Sequence, residues 1–475
     1  MPATVSGRRA RLSGIRRRLL AADRRTLVRL GLVALATYLA WLAVGAFGRQ
    51  YTFFDMKIYH GAMVWWANGN PLYDFVAPQT TLGFTYPPFA ALLMLPMATL
   101  SMPVAALVNL LASLTALTAV MIALLHPIAA RLGQPLWFVV ALAVPLAVAL
   151  EPVRETLGYG QVNLLLFALV LADLVALRWR SRRGLPARPD DGGLRRFFFS
   201  GAWAGIGIGL ATSIKLTPAL FILYLMLTRQ WRAAWTAVGT ALTVGCGVFA
   251  VMPAESTAYF GTVIWQTERV GAADMTPNQS LAGLLARLYD MIETPTLLWF
   301  VFAVLVLVLG LDRARAARAD GDELTAFTLV GLTGNIISPI SWTHHLVWVI
   351  PALIVLADTG VRRWDARGLP LRVPGSGVAA LTGPRIGRWW PTMIGLRHLF
   401  CAGGLYLLFV ISPIWPYEHQ LPEVSHYQDG LFGAVLENSL VLTLIVLVTT
   451  LPWRPGAEPA FYGERSTAAA LLARR

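Results

Sequence analysis

A chain of 475 residues that is 56% hydrophobic and 13% charged is not a soluble globule, since soluble domains carry about 25% charged residues. The net charge of +14 does not point to nucleic acid, because the arginines cluster between apolar runs, as in a polytopic membrane protein that marks its cytoplasmic loops. Cys246 and Cys401 each lie inside an apolar segment, with no CxxC and no Cys/His cluster, so neither a disulfide framework nor a zinc site is indicated.

Residues 1–29 hold nine arginines and one acid. The apolar run 30–47 behind this arm is long and lacks a small-residue cleavage site, so it reads as a retained first span with a cytoplasmic N-terminus. The stretch Phe53-Phe54-Asp55-Met56-Lys57-Ile58-Tyr59-His60 then falls on the outer side and contains one of the chain's two lysines. Aspartate is a good helix N-cap, and Met56, Tyr59, Met63 and Trp66 follow at helical spacing. On this stretch alone, capping and catalysis are equal readings of Asp55.

Seven arginines in residues 178–196 mark a second cytoplasmic loop. Parity then requires an odd number of crossings between it and Asp55. Residues 89–100, short and containing Pro96, read as a re-entrant or interfacial helix; 103–125, 136–150 and 161–177 read as spans, and 151–160 as an outer loop. Between Arg196 and Arg229 one apolar stretch is interrupted by Thr212-Ser213-Ile214-Lys215-Leu216-Thr217-Pro218. Two short helices meeting at Lys215 near the outer surface keep the parity, because irregular backbone at membrane depth is tolerated where it is buried in protein or lines a cavity. Apolar segments 233–252, 296–311, 324–337, 346–356, 398–412 and 431–451 complete an all-α polytopic bundle of about twelve transmembrane helices over residues 30–452. The outer connections are then 253–295, 338–345 and 415–429. An arginine-rich loop, 362–397, and a tail, 453–475, are expected in the cytoplasm.

Polar motifs that the charge rule does not require all gather on the outer side: the Asp55 loop, Tyr86-Pro87-Pro88, Gly158-Tyr159-Gly160-Gln161-Val162-Asn163, the Lys215 turn, Asn278-Gln279-Ser280, and Ser338-Pro339-Ile340-Ser341-Trp342-Thr343-His344-His345. Each has a structural reading when taken singly: Asn163 can bond between helices, Lys215 can snorkel to the interface, and Pro339 can simply end a helix. Tyr59, Trp65, Trp66, Tyr86 and Trp342 can stack on sugar or form an interfacial aromatic belt.

In this order and spacing, from about Asp55 to His345, these motifs resemble the polytopic glycosyltransferases of family 87, GT-C-type enzymes of the actinobacterial cell envelope. Thr217 departs from the family, where an aromatic residue often precedes the proline. The resemblance implies a polyprenyl-phosphate-mannose-dependent α-(1,2)-mannosyltransferase that extends phosphatidylinositol mannosides, lipomannan or lipoarabinomannan at the outer face of the plasma membrane. It also implies inversion in a single displacement, with Asp55 matching the family's essential acid. Such a reaction needs a base for the acceptor hydroxyl and positive charge for the departing lipid phosphate. Lys215, His344, His345 and Lys57 are the available phosphate-binding groups. Adjacent histidines on a helix cannot both enter one site, and His344 is taken as the one that does. Tyr59, His60, Tyr86, Gln161, Asn163, Asn278, Gln279 and Trp342 are expected to bind sugar or acceptor. A metal on Asp55, His344 and His345 is conceivable, but with cations on the leaving phosphate no metal or other cofactor is expected. The competing readings are transfer of another polyprenyl-phosphate sugar, such as arabinose or glucose, and transport of a lipid or glycan. The absence of an internal repeat and the one-sided clustering of motifs weigh against a transporter.

Overall fold

The computed structural model describes residues 4–181, 193–266, 269–289, 294–365, 390–420 and 430–457. Much of the arginine-rich loops expected at 178–196 and 362–397, of the connection 415–429 and of the tail 453–475 lies outside them. Among the described residues the fold is all-α, with two isolated bridges, Val76 to Gly83 and Asn278 to Trp342.

The chain begins with α1 (Thr4–Phe47), α2 (Phe54–Ala67), α3 (Pro88–Met94), α4 (Met102–Arg131), α5 (Leu136–Val148), α6 (Glu151–Tyr159) and α7 (Asn163–Ser181). It continues through α8 (Gly193–Phe199), α9 (Ile206–Ile214), α10 (Ala219–Leu227), α11 (Trp231–Val251), α12 (Pro253–Gly261) and α13 (Leu281–Leu288). The last third holds α14 (Thr296–Ala319), α15 (Glu323–Ile337), α16 (Val349–Asp365), α17 (Trp390–Ile411), α18 (Ile414–Gln420), α19 (Gly430–Glu437) and α20 (Ser439–Thr450). A 3₁₀ turn, Thr343–Trp348, leads into α16.

Among the described residues six helices are long and apolar enough to cross a membrane, or up to eight if two bent pairs each form one span: α5 with α6, bent by 74°, and α19 with α20, bent by 69°. The chain is a membrane protein. Glu155, Asp173 and Asp322 are fully buried whereas Trp41, Leu242 and Phe300 are exposed, an arrangement suited to hydrocarbon rather than water. The expected twelve is not reached by length and apolarity. Helices α9 and α10, nine residues each, are about 13 Å long against about 30 Å of hydrocarbon. They meet, as expected, at Lys215, whose extended backbone (φ −150°, ψ 132°) ends α9.

Residues 151–160, expected as an outer loop, instead form α6. Pro152 sits in its first turn, where the missing N–H has no intrahelical partner to lose. The helix ends at Gly160, which has φ +77°; a Cβ there would lie 2.6 Å from the Cβ of Met56. Only glycine allows both the left-handed turn and this approach, which brings the end of α6 against the start of α2.

Candidate active site

Two consecutive non-glycine residues, Thr52 (φ 51°) and Phe53 (φ 53°), turn the chain from α1 into α2. Left-handed backbone costs about 1–2 kcal/mol per residue, and it persists here because the Phe53 N–H is held by the Gly158 carbonyl at 3.0 Å. The cap position of α2 is Phe53, which offers no side-chain cap. Asp55 is therefore not a capping residue. It lies in the first turn, and its Oδ2 accepts a hydrogen bond from Gln161 Nε2 at 2.8 Å.

Gln161 is the middle of a directional relay. Tyr59 OH donates to Tyr86 OH (3.3 Å), Tyr86 OH donates to Gln161 Oε1 (3.0 Å), and the Gln161 amide donates to Asp55. The direction suits an ionised, acceptor-only carboxylate at the end. Burial pushes Asp55 up to about 6, with Glu155 adding to the rise, while the Gln161 hydrogen bond and the Lys215 charge oppose it. A carboxylate tuned toward neutrality is what a general base requires.

On the other side of Tyr86 lies Lys215, its Nζ 5.4 Å from the centre of the tyrosine ring. Lys215 Nζ donates to Asn163 Oδ1 at 3.3 Å and lies 2.9 Å from His345 Nε2. Asn163 in turn donates from Nδ2 to the His344 carbonyl at 3.0 Å, fastening the start of α7 to the histidine turn. The backbone N–H of Trp342 donates to His345 Nδ1 at 3.2 Å. A neutral imidazole that accepts at Nδ1 carries its proton on Nε2, so the ring N–H is directed at the Lys215 amine 2.9 Å away. A phosphate oxygen would satisfy both.

The contact with Lys215 thus belongs to His345, not to His344 as expected. His344 turns to the opposite side, edge-on to Tyr159 with ring centres 5.7 Å apart, and its Nδ1 lies 3.9 Å from Glu155 Oε2. Its Nε2 is buried without a hydrogen-bond partner among the described residues. Among the same residues no His, Cys, Asp or Glu side chains form a group of three able to hold a metal ion, so Asp55, His344 and His345 are not gathered as ligands.

The model of glycosyltransferase family 87 matches residues 84–339, more than half of the chain. The chain belongs to glycosyltransferase family 87. It is 33% identical, over 76% of its length and 81% of the relative's, to a polyprenol-phosphate-mannose-dependent alpha-(1-2)-phosphatidylinositol mannoside mannosyltransferase of Mycobacterium tuberculosis. It is 32% identical, over 81% of its length and 83% of the relative's, to the corresponding phosphatidylinositol pentamannoside mannosyltransferase of Mycolicibacterium smegmatis. A crystal structure of ArnT from Cupriavidus metallidurans bound to undecaprenyl phosphate is 14% identical over 94% of this chain and 79% of that one; its TM-score of 0.31 is too low to carry a conclusion.

The family 87 match contains Tyr86, Gln161, Asn163 and Lys215, while Asp55 and the histidine pair flank it; the fold closes these flanks onto the same site. Other expected residues are elsewhere. Lys57 is exposed. His60 bonds the Leu100 carbonyl at 2.9 Å through Nε2. Asn278 and Gln279 are fully buried and use their amides within the fold. Asn278 Nδ2 donates to Ala273 O and Pro339 O while its Oδ1 accepts from Ser341 N; Gln279 Nε2 donates to Thr276 O and Glu437 O while its Oε1 accepts from Val441 N. Ser280 caps α13. The Trp342 indole lies against Gly271, where an added Cβ would come within 2.9 Å of it, so this residue reaches the site through its backbone N–H.

Sequence reasoning missed Glu155. It is fully buried, accepts from Arg49 Nη2 at 2.6 Å and from Thr343 Oγ1, and stands beside His344. The available signal was two acids and an arginine, Glu151, Arg154 and Glu155, between two apolar runs.

Proposed function

We propose that the protein is an inverting membrane mannosyltransferase that moves mannose from a polyprenyl-phosphate donor to a hydroxyl of a mannosylated phosphatidylinositol, forming an α-1,2 linkage. The relatives' activities support the donor and acceptor classes. The observation that carries the mechanism is the pairing of a carboxylate at the end of a hydrogen-bond relay with two facing N–H donors beyond Tyr86. Asp55 takes the proton of the acceptor hydroxyl as its oxygen attacks the anomeric carbon. The bond from that carbon to the phosphate oxygen breaks, the phosphate leaves with the electron pair, and Lys215 with the His345 Nε2–H stabilises the charge that develops. These fixed donors make a metal ion unnecessary for the leaving group. In this reading the site opens on the outer face of the plasma membrane and both termini are cytoplasmic, a topology that the arginine clusters support.

The test is transfer of labelled mannose from polyprenyl-phosphate mannose to a panel of phosphatidylinositol mannosides, with wild type and Asp55→Asn side by side. Product from the wild type alone is expected. Product from both would remove Asp55 as the base, and product only when the donor carries arabinose or glucose would replace the sugar.

A further inference from the structure

The reading above puts a lipid phosphate at Lys215, and two clefts adjoin the break between α9 and α10, one lined by Lys215 and the other by Thr212, Ser213 and Leu216. We propose that the isoprenoid chain of the donor runs into the first, between α7, α10 and α15, and that Gly334 keeps this cleft open for it. This inference rests on the assignment of Lys215 to the donor phosphate.

The first cleft spans about 630 Å³ including its open side, with Asn163, Lys215 and His345 at its mouth. Its walls become apolar with depth, from Asn163 to Val170 along α7, a distance of about 10 Å. At the bottom Trp348 meets Phe167 and Phe221, with ring centres 4.9 and 5.1 Å apart. A polar mouth carrying a cation above an apolar shaft matches the order of groups in a lipid phosphate. In the donor the apolar chain starts at the phosphate itself, one bridging oxygen from the reacting carbon. In the acceptor the acyl chains are separated from the attacking hydroxyl by the inositol and its sugars. An apolar shaft that begins at the phosphate-binding cation therefore suits the donor. Its depth accommodates the first isoprene units, leaving the rest of the chain to the bilayer.

Gly334 supplies an independent observation. A glycine in a helix interior costs about 1 kcal/mol relative to alanine, so a packing reason is expected. Gly331, one turn earlier, has one: a Cβ there would lie 2.0 Å from the Trp348 indole. At Gly334 a Cβ would meet only Leu220 Cδ2, at an ordinary 3.5 Å, and no left-handed φ demands glycine. Neither packing nor backbone requires this residue. What it preserves is space on the cleft wall.

The rival is the second cleft, about 490 Å³, between α3 and α11, lined by Pro87, Phe89, Leu216, Val244 and Val248. Its walls are mainly apolar, with Thr212, Ser213 and Ser256 as polar members, and no cation lines it. Gly245 lies on its wall with nothing within 4 Å of an added Cβ, so a larger residue fills this cleft without strain.

The experiment uses polyprenyl phosphate, without sugar or acceptor, carrying a photoreactive diazirine in its second isoprene unit, and the purified full chain as wild type, Gly334→Leu and Gly245→Leu. Labelling of the wild type is expected on α7 and α10, around Phe167 and Phe221. Gly334→Leu is expected to weaken binding by about tenfold or more, and Gly245→Leu to leave it unchanged. Labels on α11 between Val244 and Val248, or a folded Gly334→Leu labelled as strongly as wild type, would overturn the proposal alone. If Gly334→Leu does not fold, the wild-type label positions decide. Absence of any labelling or binding by wild type would overturn the phosphate assignment at Lys215 and this inference with it.

Discussion

Charge lies at both ends of α15, buried at one and half-buried at the other, and the two ends differ in how completely it is satisfied. At the N-terminal end Asp322 accepts five hydrogen bonds, from Thr325 N and Oγ1 and from Arg454 N, Nε and Nη2, at 2.6–3.2 Å. Arg454 also reaches Asp358, which Arg131 and Arg362 flank. About 22 Å away along the helix, Lys215 meets an amide oxygen and an imidazole N–H, neither of them a carboxylate, and His344 Nε2 has no partner among the described residues. Saturated charge fastens the segment after α20 to the bundle. Charge left short of acceptors is poised for a ligand that brings them, at a cost in stability that only function repays.

Substitutions at the two ends should therefore separate activity from stability. The largest effect is expected at Asp55. Asp55→Asn should lower kcat by about 10²–10⁴, the usual worth of a positioned base, with no loss of fold. The sign follows from Asp55 lying above its unfolded value: the folded protein holds the carboxylate charged against desolvation, so removing the charge leaves the thermal midpoint equal or slightly higher. A variant lower in both activity and midpoint would return Asp55 to a structural role. At the opposite end Arg454→Met should do the reverse. Breaking one side of a buried ion pair costs about 3–5 kcal/mol, read as a lowered unfolding midpoint, with KM for both substrates unchanged in the folded fraction. Lys215→Met should lower kcat by about 10²–10³ without changing acceptor KM. An unaltered kcat would take Lys215 away from the leaving phosphate.

The same comparison explains what was legible in the sequence. Lys215 and Asp55 stand out because a charged residue in an apolar neighbourhood needs a reason, and the arginine clusters placed both on one side. The break at Lys215 was readable because Pro218 and the polar residues before it interrupt an apolar run. Partners distant in sequence were not readable. Gln279 is spent on Glu437 and Val441, more than 150 positions away, so a polar motif that looked ligand-facing is a staple between α13 and the break of α19 and α20. The choice between His344 and His345 is made by one backbone N–H, that of Trp342, which composition cannot reveal. Glu155 was hidden because span parity assigned 151–160 to an outer loop, where Pro152 opens a helix. The expected twelve spans are not reached by length and apolarity at α9 and α10 for a related reason: parity counts crossings but does not measure helix length.

The smallest effect concerns the relay rather than the charges. Activity should rise with pH through about 6 as Asp55 ionises, because only the carboxylate can take a proton. The Gln161 hydrogen bond stabilises that charged form, so Gln161→Ala should move this acidic limb upward, not downward. A single hydrogen bond is worth about 0.5–1.5 kcal/mol net, and one pH unit corresponds to about 1.4 kcal/mol, so the shift should be about one unit or less. Loss of activity at Asp55→Asn cannot distinguish a base from a residue that merely orients the acceptor, whereas a limb that moves when its hydrogen-bond donor is removed identifies the titrating group. A pH–kcat/KM profile of Gln161→Ala with an unmoved or lowered acidic limb would mean that the group governing the rate is not Asp55.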